Sequence, residues 1–271
     1  MGRVRPTALA LLLFVVLCPS SGADGVPQDA DESMTWAELT ALCTLDRRPG
    51  GDDPPVQDWI DWHQRAGFCD GIHAGVVSFA LSPQHDPRLT GYPDEDGNVG
   101  FCDWFVLGGT ELAYAPEFQG PYRSYLAAHP GLGEQDAVAT LLDALPDVYP
   151  CGSLERPGTY ALDLGELRAL CTGEKARLAR LDPASAQAEI AVLYASFGYC
   201  QGVIYGWIRA SATPSEGGPA SASFCLPEWP QLSSVHVSLV RVLEAQGSPD
   251  ADGRPAAAEL DRLLLDALPC T

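Results

Sequence analysis

The residue pair best suited to catalysis is a cysteine and a histidine four positions apart. Cys69 and His73 have the spacing that places two side chains on the same face of a helix. A thiol becomes a nucleophile when a neighbouring base removes its proton, so the pair has the composition of a cysteine hydrolase site. A disulfide at Cys69 is the alternative, because a bonded sulfur cannot attack a substrate.

Metal-binding and other catalytic patterns have little support. Of the five histidines, only His63 and His73 share a predicted helix, and their separation does not suit a common metal ion. The sequence contains no Gly-x-Ser-x-Gly nucleophile elbow, no phosphate-binding glycine loop and no His-Glu-x-x-His helix. We therefore predict no enzymatic activity, no metal ion and no cofactor.

An acidic loop is predicted in the first half of the chain. The segment 86–96 contains several aspartates but lacks the alternating acids and terminal glutamate of a calcium-binding EF-hand loop. A solvated surface loop is the simpler interpretation, and surface loops often carry binding residues. Asp94, Glu95 and Asp96 are therefore candidate contacts for a protein partner.

The elements that must position these residues occur twice. The segment 67–77, GFCDGIHAGVV, returns as the segment 198–208, GYCQGVIYGWI. Both have a glycine, an aromatic residue, a cysteine and two further glycines at intervals of four. On a helix this interval places the glycines in one stripe. The stripe residues are Gly67, Gly71, Gly75, Gly198, Gly202 and Gly206.

The glycine stripes predict close packing of helices. Each glycine inside a helix costs about 0.5–1 kcal/mol relative to alanine, so close approach of a second backbone is expected to offset it. A membrane dimer interface is the alternative, but Asp70, His73, Gln201 and Arg209 interrupt the apolar runs, which are also too short to span a bilayer. His73 aligns with Ile204, so the histidine is not part of the repeated pattern.

The N-terminal sequence predicts export. Two arginines precede an apolar stretch at 7–17, and small residues at 21–23 supply a cleavage site, so residues 1–23 are predicted to be a signal peptide. The apolar stretch is too short for a membrane span. Cys18 raises the possibility of a lipid anchor, but the bulky Leu17 before it argues against lipidation. A periplasmic or secreted protein is expected.

The chain is strongly acidic, with a formal net charge of −20 and Lys175 as its only lysine. Cleavage after Ala23 would leave 14 basic and 36 acidic residues, a net charge of −22. A nucleic-acid partner is excluded, because no basic surface exists to displace counterions. The charge either steers a basic protein partner or serves solubility alone.

The cysteines predict a disulfide framework. Removal of Cys18 leaves eight of the nine cysteines in an exported chain. We favour first-with-second and third-with-fourth pairing in each repeat, although four cysteines allow three arrangements. The favoured pairs are Cys43–Cys69, Cys102–Cys151, Cys171–Cys200 and Cys225–Cys270.

Nearly the whole mature chain is organised as two repeats, at 33–151 and 163–271. The apolar pattern of each repeat predicts four helices. No alternation of apolar and polar residues is long enough to predict a strand. The first helices begin at Thr35-x-x-Glu38 and Asp163-x-x-Glu166, and the second at Asp53-Pro54 and Asp182-Pro183. The predicted fold is all-α, with two tandem disulfide-stapled four-helix units.

These motifs resemble a known family. The second repeat follows the glycine segment 198–206 with Phe-Cys-Leu-Pro at 224–227 and Pro-Cys at 269–270. The first repeat has Phe-Cys at 101–102 and Pro-Cys at 150–151. The combination is similar to the Rap/Tai family of type VI secretion immunity proteins. The first repeat departs from the family's Cys-x-Pro, with Cys-Asp-Trp starting at Cys102.

The resemblance implies a helical, disulfide-bonded periplasmic protein that binds and blocks a peptidoglycan amidase toxin without being an enzyme. Members resembling it act as dimers, so a tandem repeat is expected to build a similar pair within one chain, as a monomeric pseudo-dimer. Two alternatives stay open. One is an envelope-associated binding module with another partner, and the other is a secreted hydrolase, which needs a free thiol.

We expect all eight cysteines of the mature protein to be bridged, two pairs in each repeat. The matched order of cysteines in the repeats is the reason. Mass mapping of peptides from the non-reduced protein measures the pairing. A free thiol or a bridge between repeats would contradict the prediction.

Overall fold

The computed structural model describes residues 34–45, 56–80, 120–148, 163–173, 186–212, 232–245, 254, 256 and 259–267. Within these ranges the chain forms α-helices and one short 3₁₀ helix at Pro130–Leu132. The predicted all-α fold is confirmed. The helices are α1 Trp36–Cys43, α2 Val56–Ala80, α3 Pro121–Ala128, α4 Ala137–Val148, α5 Leu164–Cys171, α6 Ala186–Ala212, α7 Leu232–Ala245 and α8 Leu260–Ala267.

The first helix of each repeat begins where the sequence predicts. Thr35 caps α1: its hydroxyl accepts a hydrogen bond from the Glu38 amide at 3.2 Å, and the Glu38 carboxylate accepts one from the Thr35 amide at 2.8 Å. In α5 the Asp163 carboxylate accepts a hydrogen bond from the Glu166 amide at 2.7 Å. Both caps satisfy amides that have no partner within the helix. The predicted starts of the second helices lie outside the described residues.

Disulfides attach these short helices to the long ones. Cys43, the last residue of α1, is bonded to Cys69 in α2, with Cα atoms 5.6 Å apart. Cys171, the last residue of α5, is bonded to Cys200 in α6, with Cα atoms 5.0 Å apart. This is the first-with-second pairing in both repeats. The other four predicted cysteines, Cys102, Cys151, Cys225 and Cys270, lie outside the described residues.

The long helices α2 and α6 pack along their glycine stripes. A Cβ atom added to any of the six glycines would lie less than 3.0 Å from a backbone carbonyl oxygen of the other helix. Only a residue without a side chain fits at this separation. The opposed residues are Gly67 and Ala195, Gly71 and Tyr199, Gly75 and Val203, Gly198 and Gln64, Gly202 and Phe68, and Gly206 and Ile72.

The order of these contacts shows that the two helices run parallel. Moving one turn along α2, from Gly67 to Gly71, moves the opposed residue one turn along α6, from Ala195 to Tyr199. Each contact also recurs when the repeats are exchanged, because Gly198 lies 131 positions after Gly67 and Ala195 lies 131 positions after Gln64. Such reciprocity is the property of a twofold interface. The repeats are therefore related by a pseudo-twofold axis along the helix pair.

Side chains beside the stripe complete a core shared by both repeats. The rings of Phe79 and Trp207 meet edge to face with centroids 5.6 Å apart. The Gln64 amide donates to the Gln201 side-chain oxygen at 3.2 Å across the helix pair. The buried apolar cluster contains residues of all eight helices of the described part. Among the described helices, none is both long and apolar enough to cross a membrane.

Substitution of Gly202 by alanine is expected to destabilise the protein by at least about 2 kcal/mol, because overpacking in a core typically costs about 1–3 kcal/mol and here opposes an unyielding backbone. The new methyl group would meet the Phe68 carbonyl and the Ile72 amide nitrogen. Urea unfolding with the disulfides intact measures the change. Leucine, a larger residue, is expected to cost about 2–4 kcal/mol.

Gly131→Ala is the matched control. An added Cβ at Gly131 has no neighbour within 4 Å, so a change within about 0.5 kcal/mol is expected. Equal stability of the Gly202 and Gly131 variants would show that the helix backbones do not pack as described.

Candidate functional site

The candidate catalytic pair is buried and its cysteine is bonded. Both residues lie in α2, where Cys69 is 0% and His73 is 2% exposed. The Cys69 sulfur is bonded to Cys43, so it has no thiol for His73 to activate. The four-residue spacing therefore brings the two residues to the core without creating a nucleophile.

His73 instead forms a polar contact between helices. Its Nδ1 atom lies 2.9 Å from the Tyr122 hydroxyl in α3. The Tyr122 ring meets Trp36 edge to face, with centroids 5.6 Å apart, and both rings are fully buried. Burial lowers the pKa of His73 from 6.5 to about 3, because the interior disfavours the charged imidazolium. The imidazole is therefore neutral near pH 7 and acts as a hydrogen-bonding core residue.

The buried polar residues of α2 differ from the residues at the same positions of α6. Asp70, one turn before His73, is 2% exposed. The corresponding positions of α6 hold Gln201 and Ile204. A general base works best when its pKa is near the operating pH, and His73 is far from that value and enclosed by the core. The contact between His73 and Tyr122 is better suited to positioning α3 than to catalysis.

Two other described histidines are packed against aromatic rings or backbone. His63 meets the rings of Trp59 and Trp62, with centroids 4.7 and 4.8 Å away. In the second repeat, His236 Nε2 lies 3.0 Å from the Cys171 carbonyl oxygen. Burial lowers the pKa of His236, an effect that this hydrogen bond partly opposes. Both residues are therefore part of the helix packing.

No metal centre is found in the part of the chain that the structure describes, where no three His, Cys, Asp or Glu side chains converge. His129 is exposed, and its ring lies 4.3 Å from that of Tyr125. His85 lies outside the described residues.

The predicted partner contacts Asp94, Glu95 and Asp96 also lie outside the described residues. The described surface nonetheless shares their acidic character. Burial and, secondarily, the carboxylates of Asp147 and Asp143 raise the pKa of Tyr125 on α3. Both aspartates are exposed on α4, so this surface presents negative charge to solvent. The packing of α3 against α4 decides this arrangement, which helix periodicity alone does not reveal.

Comparison of this chain with known proteins does not assign it to a family. No protein-family model, curated protein or solved structure matches this chain. The functional assignment therefore rests on the repeated motif, the disulfides and the surface charge.

Acidification is expected to destabilise the protein through His73. The folded-state pKa of about 3 lies below the ordinary value of 6.5, so the unfolded chain binds more protons between these values. The stabilisation is complete above about pH 6.5 and is lost as the pH falls toward 3, by up to about 1.4 kcal/mol per pH unit. Urea unfolding between about pH 7 and 5 measures this slope.

His73→Ile, which introduces the residue found at position 204, is expected to reduce that slope. Exposed His129→Gln is the control and should keep the wild-type slope. The remaining groups, including Asp70 and His236, are common to all three proteins, so the difference between slopes isolates His73. Equal slopes in wild type and His73→Ile would contradict the assignment.

Proposed function

We propose that this protein is an exported, non-enzymatic immunity-type protein that binds and inhibits a peptidoglycan amidase toxin. The observation that carries the proposal is the use of the repeated motif. Its cysteines staple α1 to α2 and α5 to α6, and its glycines pack α2 on α6. A motif used in this way builds a rigid scaffold, which favours recognition of a partner by the surface.

The resemblance to the Rap/Tai family supplies the class of partner. The glycines that carry the resemblance pack one repeat on the other, and Cys69 and Cys200 each bind a short helix to the long helix of the same repeat. The pseudo-twofold pairing also supports the idea that one chain replaces a dimer of single units, since a tether converts association into an intramolecular step.

The compartment and charge agree with this proposal. Disulfides persist in oxidising compartments such as the periplasm, and two are present within the described residues. The net charge of −20 would attract a basic toxin over long range and raise its association rate. Asp94, Glu95 and Asp96 are our candidates for its contacts.

The alternatives are a secreted hydrolase and a binding module with another partner. A hydrolase that uses Cys69 is disfavoured, because its sulfur is bonded to Cys43. A binding module with another partner would have the same scaffold, so only the partner itself separates it from an immunity protein.

The test is inhibition of the neighbouring gene's product, provided that its sequence carries a Cys-His amidase signature. Purified mature protein is titrated into a peptidoglycan cleavage assay, and binding is measured in parallel. We expect stoichiometric inhibition and an affinity that weakens with salt, since surface charges are screened. Full amidase activity in excess protein, with no binding, would contradict the proposed function for this toxin.

A charge-reversed loop variant tests the predicted contacts separately. Asp94→Lys, Glu95→Lys and Asp96→Lys together are expected to weaken binding by at least about tenfold, because like charges would then face a basic partner. The melting temperature should stay unchanged, since the loop is predicted to be solvated. Full inhibition by this variant would reject the loop assignment while leaving the inhibitory function standing.

A further inference from the structure

An ion pair joins the two repeats beside the glycine contacts. Arg209, near the end of α6 in the second repeat, donates from Nη2 to Asp136 Oδ2 at 2.7 Å. The two side chains are 19% and 26% exposed. This partial burial shields the pair from solvent more than an ordinary surface ion pair.

Asp136 is held in place by a second role. It is the residue before α4, and its Oδ1 atom accepts hydrogen bonds from the amides of Val138 and Ala139 at 3.0 and 2.9 Å. A carboxylate at a helix N-terminus is also favoured by the helix dipole. The cap fixes the carboxylate and directs its other oxygen toward Arg209.

The pseudo-twofold relation does not reproduce this ion pair. The α2 residue 131 positions before Arg209 is Ser78, which has no charge. The residue before α8, equivalent in this respect to Asp136, is Glu259, whose carboxylate pairs with Arg254 and Arg262 of its own repeat. Asp136 of the first repeat therefore pairs with an arginine of the second repeat, whereas Glu259 of the second repeat pairs with arginines of its own repeat.

We propose that the Arg209–Asp136 pair selects association of a first repeat with a second repeat over association of two like repeats. The glycine stripes do not make this choice, because both have the same spacing and the same reciprocal backbone contacts. In a first–first pair of the same geometry Asp136 would face Ser78. In a second–second pair Arg209 would face Glu259, which is already held by two arginines.

The competing partner is a second copy of this chain. Pairing of like repeats cannot occur within one chain, which has a single copy of each, so it produces dimers. The covalent connection favours pairing within the chain at an effective concentration in the mM range, but it does not distinguish like from unlike repeats once two chains meet. The ion pair supplies that distinction, because a first–first pair leaves Asp136 opposite the uncharged Ser78 and a second–second pair places Arg209 opposite a carboxylate that two arginines already bind.

The equivalent positions Asp58 in α2 and Glu189 in α6 allow the pairing to be measured. Equal amounts of unlabelled and ¹⁵N-labelled full-length mature chains are unfolded together with disulfides intact and refolded at about 0.01 to 1 mM, approaching the effective concentration of the tethered repeats. Dimers are isolated and treated with a carboxylate-reactive crosslinker. Interchain Asp58–Glu189 links report unlike pairing, and Asp58–Asp58 or Glu189–Glu189 links report like pairing.

Two variants and one control decide the outcome. Arg209→Ser introduces the residue found at position 78, and Asp136→Asn removes the charge while keeping a good helix cap. Each is expected to raise the ratio of like to unlike links by about fivefold. Arg241→Ser, an exposed charge change on α7, should keep the wild-type ratio.

The result that overturns the proposal is an unchanged link ratio in both variants, or like and unlike links in equal amounts in the wild type. Failure of either variant to form dimers at the highest concentration would also overturn it, because the ion pair would then not limit the choice of partner. If Arg209→Ser does not refold, Asp136→Asn alone decides, because its cap is retained.

Discussion

The close approach of the α2 and α6 backbones is the constraint on which the rest of the structure depends. At six positions the neighbour of a glycine is a carbonyl group of the other helix, and a backbone atom cannot rotate away as a side chain can. Each glycine weakens its own helix. The compensating stabilisation comes only from packing against the second helix. The register of one repeat against the other is therefore fixed by contacts that tolerate no added atom.

The repeated motif uses opposite sides of one helix for two purposes. Cys69 follows Gly67 by two residues, a rotation of about 200° around the helix. The glycine side meets the other repeat, while the cysteine side reaches back to the end of α1. The same arrangement holds for Gly198 and Cys200 in α6. Both sides of the motif are thus used in packing within the chain.

The differences between the repeats are as informative as the shared motif. The first repeat has His73 bound to Tyr122 in its core, where the second has an isoleucine at the corresponding helix position. Arg209 of the second repeat pairs with Asp136 of the first. The equivalent position of the first repeat holds the uncharged Ser78, which cannot form the reciprocal ion pair. Once the two units are joined in one chain, such one-sided contacts become possible, because each position needs to fit only one neighbour.

The sequence by itself determined the all-α fold, the capped starts of α1 and α5, and the glycine stripes. These follow from local rules: a capping side chain acts within three residues, and helical periodicity acts within a few turns. It favoured the Cys43–Cys69 and Cys171–Cys200 pairing without excluding the other arrangements. Only the tertiary structure decided that α2 and α6 are parallel, because glycines at intervals of four residues allow both parallel and antiparallel packing of two helices. The same holds for the contacts of His73 with Tyr122 and of Arg209 with Asp136, since residues 49 and 73 positions apart share no local periodicity and meet only when the helices pack.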